Sequence, residues 1–143
     1  MATVELRFSP LPEHVRTARL VAAAVARRAG VDEAVLDEVR LAVGEACTRA
    51  VGLHRGSDLS APVRVALIEE EKQFSIEVGD EAPRAAGASE TAGGGAAEPD
   101  ADGEDDMGLA VISGLVDDVE VTADEHGGLI RMSWPTAPDT EPV

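Results

Sequence analysis

The chain has 143 residues, a formal charge of −16 and only 2% aromatic residues. That length suits one domain with a real core, and the charge argues against a nucleic-acid surface, which needs a basic face to meet phosphates. One Trp, two Phe and no Tyr leave no platform for stacking bases, so Val, Leu, Ile and Ala must build the interior.

Val4, Leu6 and Phe8 alternate with Glu5 and Arg7. This period of two predicts a half-buried strand at the N-terminus rather than a signal peptide, which would need an apolar run. Pro10 and Pro12 then set up a helix start, where a missing N–H costs least. From Glu13, apolar residues at Val15, Ala18, Ala22, Val25 and Ala29 define one face of a helix ended by Gly30, with Arg16, Arg19 and Arg27 on another face. Asp32 is the expected N-cap of a second helix whose apolar face runs Leu36, Val39, Val43, Ala46 or Cys47, and Ala50, with Gly52 and Gly56 marking its exit. Val63–Ile68 and Phe74–Val78 form a hairpin turning at Glu69–Lys72.

Periodicity then disappears. Residues 82–106 are Ala, Gly, Pro and acid, and are expected to be a flexible acidic insert or lid. Met107–Val116 reads as a short helix, and Val119–Val121 with Leu129–Trp134 as a closing hairpin around Gly127 and Gly128. Residues 1–134 thus form one domain and 135–143 a disordered tail. The order β-α-α-β-β-insert-α-β-β predicts a two-layer α/β sandwich, α+β in class, with helices on one face of a mixed or antiparallel sheet.

Charge is unevenly distributed. Residues 1–56 carry eight basic and seven acidic side chains, and residues 57–143 carry four basic against 21 acidic. Arginines clustered in a near-neutral front half suit an acidic protein partner. Cys47, the single cysteine, admits no internal disulfide and fits a reducing compartment. No stretch reaches the ~18 apolar residues of a membrane span, so a cytoplasmic protein is expected. His14, His54 and His126 are scattered, and with Cys47 show no metal-ligand spacing. No Gly-x-Ser-x-Gly elbow is present.

From Leu11 to Trp134 the chain resembles the anti-sigma serine kinases of the sporulation and stress-response type, members of the GHKL superfamily with a Bergerat ATP-binding fold. Three segments carry the resemblance. Glu45-Ala46-Cys47-Thr48-Arg49-Ala50 is similar to the family's helical Glu-Ala-x-x-Asn-Ala box. In the family the acid activates a hydroxyl and the Asn ligates the magnesium that bridges the phosphates. Glu45 is kept, but Arg49 stands at the Asn position, and a guanidinium pairs with anions and cannot ligate a metal. Read without the family, Glu45 and Arg49 are an i,i+4 salt bridge on a helix surface. Gly79-Asp80-Glu81-Ala82 is similar to the Asp-x-Gly strand end whose Asp accepts from adenine; Ala82 replaces the Gly. Asp106-Met107-Gly108-Leu109 is similar to a Gly-x-Gly-Leu segment that opens a helix over phosphate, with Asp106 in place of the first Gly; read without the family, Glu104, Asp105 and Asp106 cap the helix N-terminus.

The resemblance implies ATP and magnesium as cofactors, with Glu45 catalytic and Arg49, Asp80, Gly108 and Leu109 cofactor-binding. The departures imply weak or absent nucleotide binding and no metal ligand. Arg16 and Arg19 lie near the family's partner-contacting arginine. The implied function is an anti-sigma factor that inhibits a sigma factor and is released by an anti-anti-sigma STAS-domain protein, with the homodimer common in the family. An active ATP-dependent serine kinase acting on that antagonist, and a pseudokinase scaffold outside transcription, remain as alternatives.

Overall fold

The period-two and period-3.6 patterns resolve, in the computed structural model, into five strands and three α-helices among the described residues, which are 2–83, 103–116 and 118–136. In chain order they are β1 (Ala2–Phe8), α1 (Glu13–Ala29), α2 (Leu36–Gly56), β2 (Val63–Glu69), β3 (Gln73–Asp80), α3 (Gly103–Leu115), β4 (Asp118–Asp124) and β5 (Gly127–Pro135). The strands form one sheet in the order β1-β2-β3-β5-β4, and every neighbouring pair is antiparallel. Of the two arrangements expected, mixed or antiparallel, the antiparallel one is found. The physical reason is that the α1–α2 pair returns the chain beside β1 in the opposite sense, while tight turns join β2 to β3 and β4 to β5.

Gly30 ends α1 in the left-handed conformation (φ 106°), its N–H reaching the carbonyls of Ala26 and Arg27. Asp32 acts slightly earlier than expected. Its carboxylate accepts from the Ala34 N–H at 3.0 Å and caps a short 3₁₀ turn, Glu33–Val35, that leads into α2. The helix runs to Gly56, and the left-handed residue beyond it is Asp58 (φ 59°), a residue type that tolerates this region.

One core joins the two layers. Val63, Val65 and Leu67 of β2, Phe74, Ile76 and Val78 of β3, and Ile130, Met132 and Trp134 of β5 share it with the buried faces of α1, α2 and α3. Phe74 and Trp134, cross-strand partners, stack with ring centroids 6.4 Å apart. Such burial is worth about 1.5–3 kcal/mol per large apolar side chain, so the few aromatics are concentrated where two adjacent strands meet the helices. The opposite sheet face is polar: Arg131 lies between Glu77 (3.4 Å) and Glu70 (3.8 Å), and Ser75 bonds Ser133 at 2.9 Å.

Three boundaries differ from expectation. Pro135, expected to open the disordered tail, ends β5 opposite Gln73, and the Thr136 N–H donates to the Lys72 carbonyl at 3.2 Å. Ala82, expected to open the flexible insert, is buried at 2% exposure. And α3 begins at Gly103, four residues before Met107. Glu104, Asp105 and Asp106, expected to belong to the insert, are part of the helix. Residues 84–102 of the insert and the tail from 137 lie outside the described residues. Among the described residues no helix is long and apolar enough to cross a membrane.

Candidate functional site

The central helix α2 positions the first two candidates. It buries ten residues, among them Arg49 and His54, because one side meets the sheet while its flanks meet α1 and α3. Glu45 is half-buried and Arg49 is buried at 6% exposure. The expected surface pair does not form: no ion pair joins Glu45 to Arg49 among the described residues, since the arginine turns inward while Glu45 stays partly in solvent. A cation thus occupies an interior position on α2. Among the described residues no group of three or more His, Cys, Asp or Glu side chains is placed to hold a metal ion.

Asp80 ends β3 and is buried at 5% exposure. Its Oδ1 accepts the Ala82 N–H at 2.9 Å, so the chain leaves the strand through an Asx turn. The turn is backed by Gly127 of β5. At φ 143° a side chain there would be strained, and a Cβ would collide with the Asp80 carbonyl oxygen and lie 2.9 Å from the Glu81 Cα.

His54 joins this end of the site, and the sequence did not reveal it. Its side chain is fully buried on the last turns of α2. Its Nε2 accepts the Glu81 N–H at 2.8 Å, so that nitrogen carries no proton. Nδ1 therefore holds the ring proton and donates it to the Ala61 carbonyl at 2.9 Å. No sequence signal separates such a histidine from a surface one, because its partners are backbone groups at distant positions.

The α3 end is arranged differently. Leu109 is buried at 5% exposure and packs into the core rather than lining an open site. Gly108 is the sixth residue of α3, so its N–H lies in the helix's own i to i−4 ladder and outside the orphan N–H groups of the first turn. The element expected to open a helix over phosphate at Gly108 is continuous helix. Arg49 in place of an oxygen ligand and Gly108 within a helix do not fit a bound magnesium nucleotide phosphate.

Cys47, on the core side of α2, is fully buried, and burial pushes its thiol up from the ordinary 9.0 to about 12. A thiol held protonated in this way is no nucleophile. Arg16 and Arg19 are exposed on α1, and the stem of Arg19 lies over Gly44 of α2. The candidates therefore divide between α2 with the two elements packed on it, β3 and α3, and the exposed side of α1.

With this geometry, residues 8–134 match the histidine kinase-like ATPase domain family, and the chain belongs to that family. Its fold is similar to that of the crystal structure of the RsbU and RsbW domains of Rv1364c from Mycobacterium tuberculosis, with a TM-score of 0.66 and 16% identity. The match covers 100% of this chain and 35% of that one, so the chain spans about a third of the length of the solved protein. No curated protein matches.

Proposed function

We propose that the chain is an anti-sigma factor, acting in the cytoplasm, that binds and silences a sigma factor and is released by a STAS-domain antagonist, with weak or absent Mg-ATP binding. The observation that carries the reading is the outer face of the helix layer. Arg27, Arg28 and Arg40 are each paired with a carboxylate, those of Glu33, Glu69 and Asp37. Arg16 and Arg19 have no ion pair among the described residues and stand exposed beside Leu20, which is 56% exposed, with Leu41 of α2 at 52%. Unpaired cations around exposed leucines, on a chain of charge −16, suit an acidic amphipathic partner surface. The RsbW domain named in the similar structure supports a partner-switching role, and the family's usual homodimer is carried with it.

The alternative of an active serine kinase retains Glu45 and Asp80 in its favour. Arg49 and the helical setting of Gly108 weigh against it, because phosphoryl transfer depends on a metal that neutralises developing charge. The test is capture of bound proteins with the tagged chain, then calorimetry of the captured sigma factor with the Arg16→Glu, Arg19→Glu double variant. Affinity is expected to fall by about a hundredfold or more, as charge reversal at an interface costs several kcal/mol, with an unchanged thermal midpoint. Unchanged affinity would remove this face from the interface, and capture of no sigma factor would favour a scaffold outside transcription.

A further inference from the structure

We propose that His54 is the positioning residue of the Asp80–Ala82 turn. The role rests on the reading of that turn as the base-recognition end of a nucleotide-type site. An imidazole in an apolar core is costly unless both nitrogens are bonded, and here each is bonded to the backbone of a different segment. Ala61 lies in the connection after α2, and Glu81 directly follows β3.

Glu81 is where the strand ladder stops. The last β3–β5 register pair is Asp80 with Gly128, so the Glu81 N–H has no strand to donate to, and His54 Nε2 takes that place. The bond fixes the residue between Asp80, which supplies the carboxylate, and Ala82, which donates to it. Gly127 lets β5 pack against the other side of the same backbone. His54 thus governs the direction of the Asp80 carboxylate at one remove, from a helix distant in sequence, and keeps the turn formed before any ligand arrives.

The chemistry separates two substitutions. His54→Phe fills the space with no acceptor and no donor, leaving the Glu81 N–H and the Ala61 carbonyl without partners. His54→Gln carries an oxygen to accept and an NH₂ to donate, and can serve both backbone groups.

The experiment is native-state amide exchange by NMR on the whole chain and both variants, with the imidazole nitrogen spectrum of the unsubstituted protein. The ring is expected to be neutral with its proton on Nδ1. In His54→Phe the Glu81 and Ala82 amides should exchange about tenfold or more faster, relative to Ile76 and Val78 within β3, as one lost hydrogen bond implies. His54→Gln should bring them back to within about threefold of the unsubstituted protein. Equal acceleration along all of β3 would reduce His54 to a structural residue and overturn the proposal, as would a proton on Nε2. If His54→Phe does not fold, the ring spectrum and the exchange pattern of His54→Gln decide alone: selective loss at Glu81 or a proton on Nε2 overturns it. None of these readouts needs nucleotide, so a failed Mg-ATP titration bears on the reading of the site and leaves the His54 result standing.

Discussion

At the end of β3, Asp80 sits in a turn held by its own side chain, by His54 from α2 and by the backbone of β5 at Gly127. At the start of α3, the corresponding glycine segment has become part of a helix, and Arg49 faces inward from α2 where the resembled family carries a magnesium ligand. Both ends depart from the family pattern at one glycine, Ala82 in one and Asp106 in the other. The outcomes differ because of what surrounds each position. Ala82 is buried and its N–H is used by Asp80, so the turn forms with alanine. Asp106 lies within α3, which starts at Gly103, so the backbone there is already helical before Gly108. A lost glycine matters little at Ala82, where other elements hold the backbone.

The largest expected effect comes from disturbing the preserved end. Gly127→Val should cost more than about 2 kcal/mol, since it forces a β-branched residue to positive φ and drives its Cβ into the Asp80 carbonyl. Urea unfolding measures it. A loss below about 0.5 kcal/mol, the range of a neutral surface change, would mean that β5 does not support the turn.

Most of the fold was legible because its patterns are local. Val4, Leu6 and Phe8 in β1, the spacing of Val15 to Val25 in α1, and Leu36 to Ala50 in α2 all read through to elements that share one core. The β4–β5 turn was marked by Gly127 and Gly128, and only Gly127 takes the positive φ. The site was less legible. The start of α3 at Gly103 was hidden because Glu104, Asp105 and Asp106 suit an exposed insert equally well. Arg49 was read as a surface partner of Glu45 because i,i+4 spacing is all that a sequence shows, whereas its burial follows from the packing of α2 among α1, α3 and the sheet. His54 gave no signal, since its partners are the main chain at Ala61 and Glu81.

A smaller effect tests whether the interior side of α2 is as dry as its burial implies. The Cys47 thiol is pushed up to about 12 in the folded chain. Its folded value lies above the unfolded one, so the contribution is fully present below the ordinary thiol pKa of 9.0 and is lost as pH rises from there towards about 12, where the unfolded chain ionises first. At about pH 10 the unsubstituted protein should lose about 1.4 kcal/mol more, relative to neutral pH, than Cys47→Ala does. Equal losses in urea titrations would show that solvent reaches this side of α2.

The smallest expected effect is none at all. Arg49→Asn restores the family's residue but leaves Gly108 inside α3 and the acidic turn ahead of it, so it should not confer phosphoryl transfer on any serine of a cognate antagonist. A radiolabel transfer assay reads this directly. Transfer appearing with this one substitution would locate the whole difference between the two ends at Arg49.

We propose that the chain keeps the base end of the family's site and has lost its metal end. The most direct measurement is calorimetric titration of ATP into the unsubstituted protein with and without magnesium, followed by the transfer assay on the antagonist. Binding is expected to be weak or undetectable and not strengthened by magnesium, with no labelled antagonist. Low-micromolar binding that requires magnesium, with transfer to a serine, would contradict it and identify the chain as an active kinase.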